Sequence, residues 1–217
     1  MRVTMDGKNL RKAIEEARLY VLLTPSLCKG SVIDTARLAI RGGAEVLQLR
    51  AGDIPRKELL KAATEIRELT RELGAIFIVN DYPEVSIEVQ ADGLHLGQED
   101  MPVEEARRLV GNDRLIGVSA HNIHQARQAQ THGADYLGIG PIFPTDTKTQ
   151  TEPVGTQLIE EVVSEIDIPF FAIGGINTHN IRQVLYTGAT RVAVCSAIIA
   201  QEDVLAVTKH FIRELTW

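Results

Sequence analysis

The chain has 217 residues, of which 44% are hydrophobic and 24% are charged. That composition excludes a globally disordered protein and is sufficient for one well-buried core. Lys and Arg number 23 against 29 Asp and Glu, for a net charge of −6, which is the wrong sign for a protein that binds nucleic acid by neutralising phosphates. We therefore expect no nucleic-acid partner.

The compartment is indicated by the absence of targeting features and by the cysteine content. No run of about 18 apolar residues occurs, as a membrane span would need, and the first residues lack the segments of a signal peptide. The two cysteines, Cys28 and Cys195, are too few for a disulfide framework and lack metal-ligand spacing. These features predict a cytoplasmic protein with free thiols and no membrane partner. The sequence is compatible with a homo-oligomer but does not specify one.

Short apolar segments alternate with longer amphipathic ones along the whole chain, and no linker rich in Pro, Ser or Gly divides them. The short segments are rich in β-branched and aliphatic residues, which is typical of strands buried on both faces. The predicted strands are Leu19–Thr24, Val46–Arg50, Ile76–Asn80, Gly93–Leu96, Leu115–Ser119, Tyr136–Gly140, Phe170–Ile173 and Arg191–Cys195.

Each predicted strand is followed by a predicted helix, and several of these helices begin at Ser, Asp, Asn or Pro and end at Gly. In the clearest one, Leu59, Ile66 and Leu69 lie on one apolar stripe, and Gly74 follows as the stop. A further helix is predicted over residues 8–18, before the first strand. The helices that follow the strands are predicted at 31–43, 55–73, 83–90, 102–110, 122–132, 155–166, 178–188 and 203–215.

Eight strand–helix units predict an α/β fold, a single closed parallel (β/α)8 TIM barrel that residues 1–217 form as one domain. An open doubly wound sheet would usually have only about five or six strands. The helix over residues 8–18 lies outside the repeat, and we expect it to cover the N-terminal end of the barrel.

The active site of such a barrel lies at the C-terminal ends of its strands. The polar residues that follow the predicted strands are therefore the candidate site. They are Gln48 and Arg50 after the second strand, Asn80 and Asp81 after the third, His95 and Asp100 after the fourth, Ser119 after the fifth, and the loop 140–148 after the sixth.

A phosphate site is predicted after the last two strands. Gly174 and Gly175 offer unhindered backbone N–H groups, and Ser196 opens a helix after the eighth strand. Such a nest is where many barrels bind a phosphate monoester. The alternative is that the glycine pair serves only the turn, and the pairing with Ser196 favours phosphate.

Asp81 and Asp100 follow adjacent strands, so their carboxylates predict a shared Mg²⁺, which binds through one or two carboxylates together with water and phosphate oxygens. Either residue alone is better explained as a helix cap, and it is the pair that favours a metal site. Arg50 and Lys148 would suit a pyrophosphate in the same cavity. His95 is either a packed barrel residue or a functional one, and we do not assign it as a base.

Seven separated motifs together resemble the thiamine phosphate synthase (thiamin phosphate pyrophosphorylase) family, and they cover nearly the whole chain in the family's order. They are Leu47-Gln48-Leu49-Arg50, Val79-Asn80-Asp81, the stretch 91–101 (ADGLHLGQEDM), Ile116-Gly117-Val118-Ser119, the stretch 138–148 (GIGPIFPTDTK), Ala172-Ile173-Gly174-Gly175-Ile176, and Val194-Cys195-Ser196-Ala197-Ile198.

The resemblance implies a transferase of thiamine biosynthesis with two small-molecule substrates. It would join hydroxymethylpyrimidine pyrophosphate to hydroxyethylthiazole phosphate, carboxylated or not, to give thiamine phosphate and pyrophosphate by Mg²⁺-assisted dissociative loss of pyrophosphate. Arg50, Ser119 and Lys148 would be catalytic, and Asp81 and Asp100 would bind Mg²⁺. The implied substrate-binding residues are Gln48, Arg50, Asn80, Ser119 and Lys148 for the pyrimidine pyrophosphate, and Thr145, Thr147, Gly174, Gly175, Cys195 and Ser196 for the thiazole phosphate.

One residue departs from the family pattern, in which a Lys stands two positions after the Arg, because here Arg50 is followed by Ala51 and Gly52. A pyrophosphate contact is therefore expected to be missing. Two other functions stay open. A thiazole tautomerase-like barrel is disfavoured by the Phe-Pro-Thr-x-Thr-Lys loop, which such relatives lack, and a non-catalytic phosphate-binding barrel would act as a scaffold or regulator.

Overall fold

The computed structural model describes residues 6–52, 54–145 and 152–216. Parallel strands pair in chain order, and the sheet closes because the eighth strand pairs with the first. This confirms the predicted (β/α)8 barrel. The strands are β1 Leu19–Leu23, β2 Val46–Leu49, β3 Ile76–Asn80, β4 Gly93–Leu96, β5 Leu115–Ala120, β6 Tyr136–Ile139, β7 Phe170–Ile173 and β8 Val192–Val194.

The helices surround the strands. Their apolar stripes form because aliphatic residues recur at helical spacing, as in α3, where Leu59, Ala63 and Ile66 are buried and Gly74 ends the helix in the left-handed conformation. The helices are α1 Gly7–Glu16, α2 Val32–Gly42, α3 Arg56–Leu73, α4 Pro83–Glu88, α5 Val103–Val110, α6 Ile123–Thr131, α7 Gln157–Glu165, α8 Ile181–Leu185, α9 Ser196–Ile199 and α10 Val204–Leu215.

The apolar residues form two cores. The larger core lies between the strands and the surrounding helices, as expected when strands are buried on both faces. The smaller core fills the barrel interior, where Tyr20, Tyr136 and Phe171 pack with aliphatic residues of the other strands. Leu10 and Ile14 of α1 belong to this interior core, which confirms that the extra N-terminal helix covers one end of the barrel.

The main difference from the sequence prediction is the helix expected at 178–188, which is reduced to α8. The residues before α8 bond through their side chains instead. Asn180 Oδ1 accepts from the Asn177 N–H at 2.8 Å, and Asn177 Oδ1 accepts from the His179 N–H at 2.8 Å. Such local side-chain bonds compete with helix formation. The ends of several other elements shift by one or two residues, and a 3₁₀ turn over Pro25–Leu27 was not predicted.

No helix within the described residues is both long and apolar enough to cross a membrane.

Candidate active site

A cavity of about 980 Å³ lies at the C-terminal ends of the strands. This is the end of the barrel at which the sequence analysis expected the site. Within the described chain, the cavity wall includes each residue of the predicted site: Gln48, Arg50, Asn80, Asp81, Asp100, Ser119, Thr145, Gly174, Gly175, Cys195 and Ser196. Thr147 and Lys148 lie outside the described residues.

The end of β2 positions Gln48 and Arg50. Gln48 points into the barrel and is only 2% exposed, whereas Arg50 is half-buried one step beyond the strand. The Arg50 N–H donates to Leu23 O at 2.9 Å, which continues the β1–β2 ladder past the last residue of β2. Because this bond fixes the backbone, the guanidinium enters the cavity from a rigid element.

The two candidate metal ligands are held by short backbone contacts at the ends of β3 and β4. Asp81 has a φ of 64°, a left-handed conformation that Asp tolerates better than most residues. Its N–H donates to His95 O at 3.0 Å, which ties it to β4. Asp100 Oδ2 accepts the N–H of Gly97 at 2.6 Å, so the loop after β4 orients this carboxylate. Uncommon backbone conformations of this kind cluster at functional sites.

Magnesium fits the charges of the cavity wall. Asp81, Glu99 and Asp100 line it, and among the described lining residues Arg50 is the one Lys or Arg. No group of three or more His, Cys, Asp or Glu side chains in the described chain is arranged to bind a metal. The two carboxylates of Asp81 and Asp100 suit a cation that takes its other ligands from water and substrate phosphates, as Mg²⁺ does.

Ser119 is at the upper end of a chain of buried polar side chains in the barrel interior. His95 Nε2 is 3.0 Å from Ser119 Oγ, and His95 Nδ1 is 3.2 Å from the Tyr136 hydroxyl. The Tyr136 and Tyr20 hydroxyls are 3.1 Å apart, and Gln48 Nε2 donates to Tyr20 at 2.8 Å. His95, which the sequence left open, is therefore hydrogen-bonded within the barrel and also contacts a site residue.

The two buried tyrosines, Tyr20 and Tyr136, stay protonated at neutral pH. Burial raises the pKa of Tyr20 well above its ordinary value, although its hydrogen bonds to Tyr136 and Gln48 oppose the rise. Burial likewise raises the pKa of Tyr136, and the nearby Tyr20 adds to the rise. Both hydroxyls therefore act as neutral hydrogen-bonding groups.

The glycine pair after β7 is needed for the packing of its turn, and it also leaves two backbone N–H groups open to an anion. Gly174 and Gly175 have φ values of 96° and 64°. A Cβ at Gly174 would lie 2.4 Å from Pro141 Cα, and a Cβ at Gly175 would lie 2.5 Å from Pro144 O. The loop after β6 therefore requires glycine here for packing. No hydrogen bond to another described residue uses the N–H groups of these glycines, so they remain available to an anion.

Cys195 and Ser196 complete this side of the cavity after β8. Burial raises the pKa of the Cys195 thiol, and the Thr24 side chain and the charge of Arg50 partly offset the rise. Thr24 Oγ1 is 3.7 Å from Cys195 Sγ. Ser196 is exposed at the start of α9.

The residues that could replace the missing Lys do not reach the cavity. Arg56 and Lys57 begin α3, and neither contributes to the cavity wall. Arg56 Nη2 is instead 3.4 Å from Glu88 Oε2 of α4. Gly52 faces open space, because a Cβ there would meet nothing within 4 Å.

Sequence reasoning missed Tyr20 and Tyr136. Both lie in strands made mostly of aliphatic residues, where a tyrosine cannot be distinguished by sequence from an ordinary core residue. One signal was present: Gly117 in β5 leaves the space for the Tyr136 ring, since a Cβ at Gly117 would lie 2.1 Å from Tyr136 Cζ. A glycine inside a strand often marks such a close approach.

Comparisons with known proteins agree with this geometry. A model of the family described as thiamine monophosphate synthase matches residues 19–198. The chain is 45% identical over 202 residues to a thiamine-phosphate synthase of Chloroflexus aurantiacus, with 91% of this chain and 92% of the relative covered. It is 42% identical over 194 residues to that of Shouchella clausii, with 88% and 93% covered.

A solved structure, the thiamine phosphate pyrophosphorylase from Pyrococcus furiosus, superposes with a TM-score of 0.85 at 37% identity, covering 94% of this chain and 97% of that one. The resemblance inferred from the separated motifs is therefore confirmed, and with it the expectation of a transferase. Since the family model covers the barrel from β1 to β8 and the relatives match nearly their full length, the chain belongs to the thiamine monophosphate synthase family.

Proposed function

We propose that this chain joins hydroxymethylpyrimidine pyrophosphate to hydroxyethylthiazole phosphate, releasing pyrophosphate and forming thiamine monophosphate. The observation that carries the proposal is the placement of a cation-binding set and an anion-binding set around one cavity. Asp81 and Asp100 follow β3 and β4, whereas Gly174, Gly175 and Ser196 follow β7 and β8. In a closed barrel of consecutive strands these pairs lie on opposite sides of the mouth.

This placement suits two phosphate-bearing substrates whose reacting atoms meet between the two sets. We assign the pyrimidine pyrophosphate to the β2–β5 side, with Gln48, Arg50, Asn80 and Ser119 as its contacts on that side. We assign the thiazole phosphate to the Gly174–Gly175 turn, with Thr145, Thr147, Cys195 and Ser196. Holding two reactants in this way supplies much of the rate enhancement of a two-substrate reaction.

The chemistry needs no protein nucleophile. The bond that breaks joins the CH₂ group of the pyrimidine to a pyrophosphate oxygen, which leaves with the bonding electrons, and the electron-rich aminopyrimidine stabilises the resulting positive carbon. The thiazole nitrogen then donates its lone pair to form the new C–N bond. Arg50 and Lys148 stabilise the negative charge on the departing pyrophosphate, and Ser119 donates a hydrogen bond to the same substrate.

We propose Asp81 and Asp100 as the protein ligands of Mg²⁺. When bound, the ion would neutralise charge on the leaving pyrophosphate. The Asp100 carboxylate is oriented by its bond from the Gly97 N–H, and the Asp81 backbone is fixed by its bond to β4. The Asp100 carboxylate is thus held before any ion arrives, which lowers the cost of organising the site.

We also propose that residues 1–217 act as one domain in the cytoplasm. The support for the compartment is that Cys28 and Cys195 are both free thiols.

The direct test is to measure pyrophosphate release with both substrates, with each substrate alone, and with Mg²⁺ withheld. We expect release only when both substrates and Mg²⁺ are present. Isomerisation of a thiazole phosphate carboxylate without the pyrimidine substrate would instead identify a tautomerase. Phosphate-ester binding with no turnover under any condition would identify a non-catalytic barrel.

A further inference from the structure

The polar chain in the barrel interior connects five side chains from different strands. It runs from Gln48 to Tyr20, Tyr136, His95 and Ser119, with successive distances of 2.8, 3.1, 3.2 and 3.0 Å. All five side chains border the cavity, and Gln48 and Ser119 are the two ends of the chain.

The Gln48 amide determines the direction of these bonds. Its Nε2 group can only donate, so the Tyr20 oxygen accepts. The Tyr20 proton is then directed at the Tyr136 oxygen, and the Tyr136 proton at His95 Nδ1.

The opposite direction is disfavoured. If Tyr136 donated to Tyr20, the Tyr20 proton would face none of the described acceptors, and a buried hydroxyl that makes no hydrogen bond is costly.

The tautomer of His95 follows from this direction. A neutral imidazole that accepts at Nδ1 carries its proton on Nε2. His95 Nε2 is 3.0 Å from Ser119 Oγ, so the Nε2 proton is donated to Ser119. The serine's own proton is thereby directed away from His95, and Ser119 lines the cavity.

Burial protects these hydrogen bonds from competition with water and so preserves their direction. Tyr136 is fully buried and Tyr20 and Gln48 are each 2% exposed, so water does not compete for their hydroxyl and amide groups. Both tyrosines stay neutral for the reason given above. Gly117 leaves the space that allows the Tyr136 ring to lie between Tyr20 and His95.

We infer that Tyr136 is a positioning residue that acts through His95 to direct the Ser119 hydroxyl proton into the cavity, toward an acceptor atom of the bound pyrimidine pyrophosphate. The identity of that acceptor rests on the proposed function, whereas the tautomer of His95 does not. His95 is thus an intermediary with a fixed proton and not a base.

The first test measures the ¹⁵N chemical shifts of the histidine ring nitrogens in the free protein. The His95 signals are identified as those that disappear in His95→Gln. We expect His95 to carry its proton on Nε2. In Tyr136→Phe, which keeps the aromatic ring, we expect the signals to move toward a mixture of tautomers. Tyr186→Phe is the matched control, because Tyr186 is 86% exposed and outside the cavity wall, and it should change neither ring signal.

A proton on Nδ1 of His95 in the unaltered protein would overturn the inference, and so would unchanged His95 signals in Tyr136→Phe. The measurement on the unaltered protein decides the direction even if the variant does not fold. Because it needs no substrate, it also stands apart from the success or failure of the proposed function.

The second test is kinetic. Tyr136→Phe should lower kcat/KM by about tenfold, in line with the loss of one well-oriented hydrogen bond. In a Ser119→Ala background the same change should have no further effect, since the group that it positions is gone. A merely structural role for Tyr136 would instead give the same loss in both backgrounds, and that result would contradict the inference.

Discussion

Arg67 and Asp92 form a buried ion pair, in which Arg67 Nη1 is 2.6 Å from Asp92 Oδ2 and each side chain is only 7% exposed. Asp92 Oδ2 also accepts the N–H of Phe77 at 2.9 Å. One carboxylate therefore joins α3, β3 and the residue before β4, at the N-terminal ends of the two strands whose C-terminal ends are followed by Asp81 and Asp100.

Removing this carboxylate should destabilise the protein strongly. Asp92→Ala leaves the Arg67 guanidinium buried without its partner, and breaking a buried pair in this way costs about 3–5 kcal/mol of unfolding free energy. Chemical denaturation measures the change. The control is Lys61→Ala in the same helix, where an exposed pair with Glu65 spans 3.9 Å and about 0.5 kcal/mol or less is expected. Equal losses in the two variants would show that the buried pair has no special role.

The proposed metal site predicts that Asp81→Ala and Asp100→Ala each remove a ligand. We expect a loss of about 2–4 kcal/mol of transition-state stabilisation, or about 10²–10³ in kcat, together with a weaker response to Mg²⁺. Titration of activity with Mg²⁺ checks this. Asp100→Asn separates the two roles of that residue, since its amide oxygen can still accept from Gly97 while the charge is lost.

A suitable control for these variants is Glu84→Ala, an acidic residue in the first turn of α4 that is not part of the cavity wall. Its Mg²⁺ titration should match that of the unaltered protein. Unchanged titrations in both Asp variants would exclude them as ligands.

The missing Lys predicts a gain of function. Because a Cβ at Gly52 meets nothing within 4 Å, Gly52→Lys should be accommodated and could supply a charge-assisted contact of about 1.5–3 kcal/mol to the pyrophosphate. We expect about a tenfold lower KM for the pyrimidine pyrophosphate. Arg56→Ala and Lys57→Ala should leave that KM unchanged, since neither residue reaches the cavity wall. If none of the three variants alters KM, this loop does not contact the pyrophosphate.

The cysteine at the end of β8 predicts a labelling pattern. Burial raises the pKa of the Cys195 thiol, so its reactive thiolate form is scarcer at neutral pH than that of an ordinary cysteine, and alkylation by iodoacetamide should accelerate as pH rises. Hydroxyethylthiazole phosphate should slow this labelling, because Cys195 lines the cavity. The measurement is mass spectrometry of a Cys28→Ser variant, which isolates Cys195.

Cys28 serves as the comparison in a Cys195→Ser variant. Burial also raises the pKa of its thiol, so its labelling should show a similar rise with pH. It does not belong to the cavity wall, and the thiazole phosphate should not protect it. Protection of Cys28 but not of Cys195 would place the thiazole phosphate elsewhere.

The repeating pattern of the sequence determined the fold and the end of the barrel that carries the site. Runs such as Ile76–Asn80 and Phe170–Ile173 are short, apolar and followed by amphipathic helices, and both properties are local. Once the strands are known, their C-terminal ends are known as well. Arg50, Asp81 and Ser119 can then be identified as candidate site residues, because they lie at those ends. The helix at 178–188 was overestimated because Asn177 and Asn180 bond to nearby backbone groups, a choice that helical periodicity does not reveal.

Only the tertiary structure decided which polar side chains meet. Tyr20 and Tyr136 are 116 residues apart, and Arg67 and Asp92 are 25 apart, and each of these residues by itself is consistent with an ordinary core or surface position. Closing the barrel brings inward-facing residues of all its strands into one narrow interior, where a polar group must find a partner or pay for its burial. His95, whose role the sequence left open, meets this requirement by its hydrogen bonds to Tyr136 and Ser119. These bonds join groups that only the folded barrel brings together, so the sequence by itself does not reveal them.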